Sequence, residues 1–189
     1  MTSNEVLTKK NGTFSTLDLA LTAMFSVLIA VCSWISVPLT VPVTLQTFAV
    51  FCTLGMLGGK RGFFAVLVYI MLGMVGVPVF SGFKGGAAVL FGVTGGYIVG
   101  FLLMAAVYWA AEKAIKNNTA LKIGMMAVGL IICYTFGTAW FVAVYTKNVG
   151  AITVFKALKL CVLPFLAWDG LKLAAATLLC GMLNKRVKL

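Results

Sequence analysis

Long apolar segments dominate this chain and limit what it can fold into. A helix needs about 20 consecutive apolar residues to cross the hydrocarbon core of a bilayer. Segments of roughly this kind cover residues 16–36, 45–58, 62–79, 93–111, 122–145 and 160–183. Because only 10% of the residues are charged, a water-facing surface of the usual kind cannot be built. The sequence therefore predicts an all-α integral membrane protein, in which residues 1–189 form a single domain of six transmembrane helices.

Basic residues are unequally distributed between the segments that connect these helices. With the N-terminus placed inside, ten of them lie on the inner side: Lys9, Lys10, Lys60, Arg61, Lys113, Lys116, Lys122, Lys185, Arg186 and Lys188. Four lie on the outer side: Lys84, Lys147, Lys156 and Lys159. Because cytoplasmic loops carry an excess of Lys and Arg, we expect both termini to be cytoplasmic, with residues 1–15 as a polar N-terminal segment. The first apolar segment is too long for the core of a cleaved signal peptide, so we expect it to remain as a helix.

The residue types that most active sites and metal sites need are scarce. The sequence contains no His, and its four acidic residues are scattered: Glu5, Asp18, Glu112 and Asp169. This set is too small for a metal cage or for a hydrolase with paired carboxylates. The five Cys residues lie in apolar segments without a Cys-x-x-Cys pattern, which is typical of small buried hydrophobic residues. We therefore expect neither an enzyme nor a protein that holds a metal or another cofactor.

Nucleotide and nucleic-acid binding are not indicated either. Residues 54–61 superficially resemble a phosphate-binding loop, but Leu54 stands where that loop requires Gly, and Arg61 stands where it requires Ser or Thr. The net charge is +11, yet a basic nucleic-acid surface needs many Lys and Arg residues on a water-soluble scaffold. Any ATP hydrolysis that the function requires must therefore come from another chain.

Asp169 and Lys172 lie well inside the last apolar segment. An ionisable residue at the bilayer centre costs at least about 2.5–3.5 kcal/mol. Spaced three residues apart on a helix, the two side chains share one face and can neutralise each other. Three interpretations stay open: an ion pair that only pins the helix against its neighbours, a proton relay, and a polar anchor for a small substrate with hydrogen-bond donors and acceptors. We favour the anchor, because replacing a buried ion pair by apolar residues is usually neutral or stabilising.

Other polar residues can converge on the outer side of the membrane. Thr44 and Gln46 lie at the start of the second apolar segment, and Tyr97 lies at the start of the fourth. The apolar connecting segments 37–45 and 81–92 are expected on the same side. They can cover a pocket or dip into the headgroup region, and their composition does not decide between the two.

Glycines near these positions permit two interpretations. Gly95 and Gly96 precede Tyr97, and Gly73 shares a face of the third apolar segment with Tyr69. A glycine lets a ligand approach the backbone closely, but it also permits close packing of helices.

Small residues form a ridge on the first apolar segment. Thr22, Ser26 and Ala30 recur every four residues, with Ala23 beside them. Such a ridge lets another helix approach closely in a membrane. The neighbour can be part of this chain or part of a partner protein, and the spacing alone does not decide.

Four motifs occur in order along the chain: Pro42-Val43-Thr44-Leu45-Gln46-Thr47, Gly76-Val77-Pro78-Val79-Phe80, Gly95-Gly96-Tyr97 and Asp169-x-x-Lys172. In this combination the chain resembles the BioY family, the biotin-specific S components of energy-coupling factor (ECF) transporters. The resemblance covers nearly the whole chain and implies a six-helix S-component fold in the bacterial cytoplasmic membrane. It also implies three partner subunits: one transmembrane coupling subunit and two ATPase subunits. The family docks on the coupling subunit through an Ala-x-x-x-Ala pattern of the first helix, to which the nearest match here is Thr22, Ala23, Ser26 and Ala30.

The resemblance also implies which residues bind biotin near the outer face. The ureido ring of biotin has two N–H donors and one carbonyl acceptor, and its valerate tail ends in a carboxylate. We expect Asp169 to accept a hydrogen bond from a ureido N–H, and Lys172 to orient Asp169 or to donate to the carbonyl. An alternative places Lys172 against the valerate carboxylate. Further residues complete the predicted binding set: Thr44, Gln46, Gly73, Phe80, Gly95, Gly96 and Tyr97.

The predicted function is therefore high-affinity capture of biotin for an uptake transporter whose partner subunits hydrolyse ATP. One alternative is a self-sufficient secondary transporter of biotin, although no convincing internal repeat relates residues 1–92 to residues 93–189. Another is a structural or assembly membrane protein, which predicts no ligand and tolerance of Asp169→Asn.

Overall fold

The structure is a computed structural model that describes residues 14–37, 41–115 and 118–186. Some of the predictions above concern residues outside these ranges. They are residues 1–13 of the polar N-terminal segment, residues 38–40 of the first outer segment, and the basic residues Lys9, Lys10, Lys116 and Lys188.

Helices make up most of the described chain, as the sequence predicts. The elements are α1 (Thr16–Trp34), β1 (Ser36–Val37), β2 (Val43–Thr44), α2 (Gln46–Met74), α3 (Ala87–Leu90), α4 (Gly95–Ile115), α5 (Thr119–Asn148), α6 (Val154–Cys161) and α7 (Leu163–Arg186). Within the described residues, five helices are long and apolar enough to cross a membrane, namely α1, α2, α4, α5 and α7. The two short strands form an antiparallel pair in which Ser36 lies opposite Thr44.

A break at Gly58 divides α2 into two parts. Gly58 has φ 78° and ψ −174°, a conformation that glycine adopts without the steric penalty other residues meet. A Cβ atom added to Gly62 would lie 2.8 Å from Leu54 Cδ2 and 3.6 Å from the carbonyl oxygen of Thr53. Residues eight positions apart in a straight helix are about 12 Å apart. The part 59–74 therefore folds back on the part before Gly58, as the turn predicted at residues 58–62 requires.

The helical boundaries differ from the predicted ones where glycine and proline interrupt the chain. The predicted segment 62–79 ends as a helix at Met74, because Gly76 adopts φ 109° and Pro78 cannot continue a helix. The predicted segment 160–183 is not one helix. It is divided at Val162 between the end of α6 and most of α7. Pro164 lies in the first turn of α7, where its missing N–H removes no hydrogen bond from the helix. The sequence did not predict the short helices α3 and α6.

One end of the bundle, which we call the closed end, is held by polar contacts between α1, α2 and α4. Ser15 caps α1, and its side chain accepts a hydrogen bond from the Asp18 backbone N–H (3.1 Å) while Asp18 accepts one from the Ser15 N–H (2.9 Å). Asp18 also pairs with Arg61 at 2.6 Å. The backbone N–H of Gly59 donates to Glu112 Oε1 at 2.9 Å. The Ser15 and Asp18 bonds satisfy N–H groups at the start of α1, and the Glu112 bond satisfies one that the turn at Gly58 leaves without a helical partner.

The opposite end, which we call the cavity end, is built from connecting segments. The end of α1 is attached to the segment 75–86 that follows α2. Ser33 Oγ donates to the carbonyl of Val79 at 2.5 Å, and Trp34 Nε1 donates to the carbonyl of Pro78 at 2.9 Å. The Ser33 bond satisfies a buried backbone carbonyl of the non-helical segment, which would be costly to leave without a partner. Side chains from this segment and from the β1–β2 region thus come to lie over the interior of the bundle.

Candidate ligand-binding site

A cavity of about 570 Å³ opens at the cavity end of the bundle. Pockets for small molecules typically enclose about 300–1,000 Å³, so the cavity has the size of a small-ligand site. Polar residues in its wall are Ser36, Thr44, Gln46, Thr47, Ser81, Lys84, Thr94, Tyr97, Tyr134, Asp169 and Lys172. Apolar residues in its wall include Val41, Phe80, Val89, Ile98, Phe101, Leu130 and Phe165.

The predicted pair Asp169 and Lys172 forms an ion pair in the cavity wall. Lys172 Nζ lies 2.7 Å from Asp169 Oδ1, and the two residues are only 9% and 2% exposed, respectively. Lys172 Nζ also donates to the carbonyl oxygen of Thr44 at 2.7 Å, which connects α7 to β2. Tyr134 on α5 donates its hydroxyl proton to Asp169 Oδ2 at 2.5 Å. The four residues thus form a hydrogen-bonded group of zero net charge, which we call the anchor cluster.

The anchor cluster retains hydrogen-bonding capacity toward the cavity. An ammonium group has three N–H donors, of which Lys172 uses two in the contacts above. A carboxylate has about four lone-pair sites, of which Asp169 uses two. The cluster can therefore bind a neutral polar group that offers both N–H donors and an acceptor.

Gln46 adds a donor that is not used within the described chain. The residue is 5% exposed, it lines the cavity, and its Nε2 atom has no hydrogen-bond partner among the described residues. A buried donor without a partner costs about 1–3 kcal/mol. A ligand acceptor in the cavity would remove this penalty.

Two aromatic residues of the predicted set also lie in the cavity wall. Tyr97 is half-buried, and its hydroxyl oxygen lies 3.1 Å from Thr138 Oγ1. Phe80 is 1% exposed and packs edge-on against Tyr69, with ring centroids 5.6 Å apart. The structure thus brings six of the predicted binding residues to one cavity: Thr44, Gln46, Phe80, Tyr97, Asp169 and Lys172. That these residues contact a ligand stays a prediction.

The three predicted glycines lie outside the cavity wall, and their contact with a ligand stays a prediction. A side chain at Gly73 would overlap the ring of Phe80, and one at Gly96 would overlap the side chain of Trp140. A side chain at Gly95 would meet the carbonyl of Leu90. These glycines permit close packing, the other interpretation that the sequence left open. Gly73 acts on the site indirectly, because its missing side chain leaves the space that Phe80 fills.

The small-residue ridge of α1 faces the interior of the protein. Thr22, Ser26 and Ala30 are buried, and Ser26 Oγ donates to the carbonyl oxygen of Ala65 on α2 at 2.8 Å. These three residues have little exposed surface in the chain alone, and their role in docking stays a prediction. Ala23 is exposed on the other face of α1.

The sequence reasoning missed several residues of the cavity wall. Tyr134, which holds Asp169, lies in an apolar segment where a single Tyr gives no signal of its own. Cys161 lies in the wall at the end of α6, and burial raises the pKa of its thiol. A neutral thiol behaves as a small hydrophobic group, so Cys161 contributes apolar surface. Lys84 was counted only for the orientation of the chain, although it too lines the cavity.

The fold is that of a helical membrane protein with a cavity of small-ligand size at one end of its bundle. The chain belongs to the BioY family, whose model matches residues 5–189. The named relatives of this chain are transporters, which agrees with the prediction that the chain is not an enzyme.

Several biotin transporters are similar to this chain. It is 43% identical over 164 residues to the biotin transporter BioY of Thermotoga maritima, a match that covers 86% of this chain and 92% of that protein. It is 37% identical to the biotin transporter BioY2 of Lactococcus lactis, covering 85% of this chain and 86% of that protein. The structure matches the crystal structure of the S-component for biotin from an ECF-type ABC transporter with a TM-score of 0.79. That match covers 92% of this chain and 95% of the other, and at 22% sequence identity it shows a shared fold.

Proposed function

We propose that this chain captures biotin as the S component of an ATP-driven uptake transporter. The observation that carries the proposal is the anchor cluster, a buried ion pair in the wall of a cavity of ligand size, in a chain of the BioY family. The similarity to named biotin transporters supports it over most of the length of the chain. In this proposal biotin is the ligand, and no cofactor takes part.

The chemistry of biotin matches the free donors and acceptors of the cavity. Asp169 accepts a hydrogen bond from a ureido N–H through a remaining lone pair. The ureido carbonyl accepts from the third N–H of Lys172 and from Gln46 Nε2, which has no other partner among the described residues. Apolar residues of the wall, such as Phe80 and Phe165, cover the thiolane ring. A site of this kind rejects analogues that lack a matching polar group by large factors, because its own buried groups are then left unpaired.

The proposed topology has six membrane crossings. These are α1, the parts 46–57 and 59–74 of α2, α4, α5 and α7. An even number places both termini on the same side, together with the closed end of the bundle. Basic residues at that end support a cytoplasmic location by the positive-inside rule: Lys60, Arg61, Lys113, Lys122 and Arg186. The cavity then opens on the outer side of the bacterial cytoplasmic membrane.

Energy for transport comes, in this proposal, from a transmembrane coupling subunit and two ATPase subunits. The sequence lacks a phosphate-binding loop, since Leu54 and Arg61 replace residues that such a loop requires. Of the predicted docking residues, Ala23 is the one on the exposed face of α1 and so the one that can reach a partner.

Biotin binding to the purified protein tests the proposal. Isothermal titration calorimetry is performed on the wild-type protein, on Asp169→Asn and on Lys172→Met, with riboflavin as a control ligand. We expect one biotin per chain for the wild-type protein, no heat with riboflavin, and a loss of affinity of at least 100-fold for each variant. Asp18→Asn is the matched control, because it alters the acid of the ion pair at the closed end. Folded wild-type protein that binds no biotin would contradict the proposal.

Transport in cells distinguishes the ATP-driven mechanism from a secondary transporter. Biotin uptake is measured with the chain alone and with coexpressed coupling and ATPase subunits, wild-type or with an inactivated phosphate-binding loop in each ATPase. We expect uptake only with active ATPases. Uptake by the chain alone that collapses with the proton gradient would instead support a secondary transporter.

A further inference from the structure

The cavity holds a second cationic position apart from the anchor cluster. Among the described wall residues, only Lys84, Asp169 and Lys172 carry a formal charge. Asp169 and Lys172 neutralise each other at 2.7 Å. The ammonium group of Lys84 has neither a hydrogen bond nor an ion pair with any described residue. The cavity as a whole therefore carries an unbalanced positive charge, located at Lys84.

The backbone around Lys84 holds this residue at the cavity. Lys84 and Phe80 exchange two backbone hydrogen bonds, with N···O distances of 2.9 and 3.2 Å. Phe80 is 1% exposed, so the bridge ties Lys84 to a residue fixed in the interior. Between them Phe83 adopts φ 56° and stacks on Trp34, with ring centroids 4.9 Å apart. Positive φ is unfavourable for a bulky residue and persists only where the surroundings impose it. The turn therefore has a fixed backbone conformation, which places Lys84 in the cavity wall.

The anchor cluster is poorly suited to a ligand carboxylate. Its net charge is zero, and Asp169 would repel a second carboxylate nearby. Lys172 already donates to Asp169 and to the Thr44 carbonyl, which leaves it one N–H. A carboxylate next to Lys84 meets a cation that has no competing acid among the described residues.

We propose that Lys84 binds the carboxylate of the ligand, while the anchor cluster binds its neutral polar end. This inference rests on the proposed function and decides between the two roles left open for Lys172. The ligand lies with its ureido ring at α7 and its valerate tail toward the turn that contains Lys84. Lys84 is exposed, so an attraction at its cation is screened by salt, whereas the contacts of the buried anchor cluster are screened much less.

Paired ligands test the assignment directly. The affinities of biotin and of biotin amide, which lacks the negative charge but keeps the ureido ring, are measured for the wild-type protein and for Lys84→Met. We expect the wild-type protein to prefer biotin by about tenfold, corresponding to about 1.4 kcal/mol. In Lys84→Met the preference disappears because biotin binds more weakly, while the affinity for biotin amide is unchanged. Lys84→Arg retains the preference, and raising the salt concentration reduces it in the wild-type protein.

Lys147→Met provides the matched control, since Lys147 is an exposed lysine at the end of α5 outside the cavity wall. This variant should bind both ligands as the wild-type protein does. A preference for biotin that persists in Lys84→Met would overturn the assignment, as would an equal loss of affinity for both ligands. A wild-type protein without any preference would overturn it too, while the proposed function would stand. Absence of biotin binding to the folded wild-type protein would instead contradict the proposed function itself.

Discussion

Among the described residues, two ion pairs hold different ends of the bundle. Asp18 and Arg61 meet at 2.6 Å at the closed end, with side chains 15% and 33% exposed. Asp169 and Lys172 meet at 2.7 Å in the cavity wall, with side chains 2% and 10% exposed. The distances are nearly equal, but the surroundings are not. An exposed pair contributes little to stability, whereas breaking a buried pair leaves a charge without compensation.

The charged groups at the two ends differ in what they contact. At the closed end the carboxylates of Asp18 and Glu112 serve the backbone and a neighbouring cation, so they complete turns and caps. In the cavity wall the polar groups keep unused donors and acceptors. Substitutions at the two ends should therefore separate stability from ligand binding, and the following predictions are ordered by the size of the expected effect.

Asp169→Ala should have the largest effect of the substitutions at either end. It leaves Lys172 buried without its partner, so we expect the free energy of unfolding to fall by about 3–5 kcal/mol and biotin binding to be lost. The double variant Asp169→Leu/Lys172→Met replaces the pair by apolar side chains and should regain most of the stability without regaining binding. Thermal unfolding in detergent and calorimetry measure the two effects. A double variant that stays as unstable as Asp169→Ala would show that the pair is needed for the fold itself.

Tyr134→Phe should weaken biotin binding while the fold persists. The hydroxyl donates to Asp169 at 2.5 Å, and hydrogen bonds to charged groups contribute about 1.5–3 kcal/mol. Without this bond the carboxylate is less well oriented, so the dissociation constant should rise at least tenfold. Tyr145→Phe is the control, because Tyr145 lies on the same helix outside the cavity wall. Equal affinities of the two variants would remove Tyr134 from the anchor cluster.

Gly73→Ala should change the shape of the cavity by displacing Phe80, although Gly73 itself does not line the cavity. The added methyl group would overlap the ring of Phe80, and overpacking of this kind costs about 1–3 kcal/mol. We expect a lower melting temperature and weaker biotin binding, because Phe80 must move. Gly124→Ala adds a methyl group on α5 where nothing lies within 4 Å, and it should leave binding unchanged. Wild-type affinity in Gly73→Ala would mean that the position of Phe80 does not matter to the ligand.

Asp18→Asn should have the smallest effect. The ion pair with Arg61 is partly exposed, and the amide can still cap the first turn of α1. Thermal unfolding should therefore shift only slightly, and biotin affinity should equal that of the wild-type protein. A marked loss of affinity would show that the closed end is coupled to the cavity.

The sequence predicted those features that depend on composition, and those in which a residue is unusual for the segment that contains it. Apolar segments of sufficient length specified the helical membrane fold, and glycines marked the turn at Gly58. Asp169 and Lys172 were found because charges conflict with an apolar helix. Tyr134 was not found, because a Tyr ring is compatible with an apolar helix and its position therefore gives no signal in the sequence.

The sequence leaves a residue's role open where one pattern has two physical uses. A spacing of four residues shows that Thr22, Ser26 and Ala30 share a face of α1, but it does not show which neighbour that face contacts. Glycine permits both close packing and approach of a ligand, so the roles of Gly73, Gly95 and Gly96 depended on tertiary contacts. Such contacts are absent from any local pattern.

The hydrogen bond from Lys172 to the carbonyl of Thr44 joins residues separated by 128 positions in the chain. Closing so long a loop carries an entropic cost that is recovered only when both ends are in place. During synthesis the N-terminal part of the chain is made first, so this bond between β2 and α7 can form only after α7 has been made. The anchor cluster is therefore among the last parts of the protein to be completed, and a chain released before α7 has been made lacks both Asp169 and Lys172.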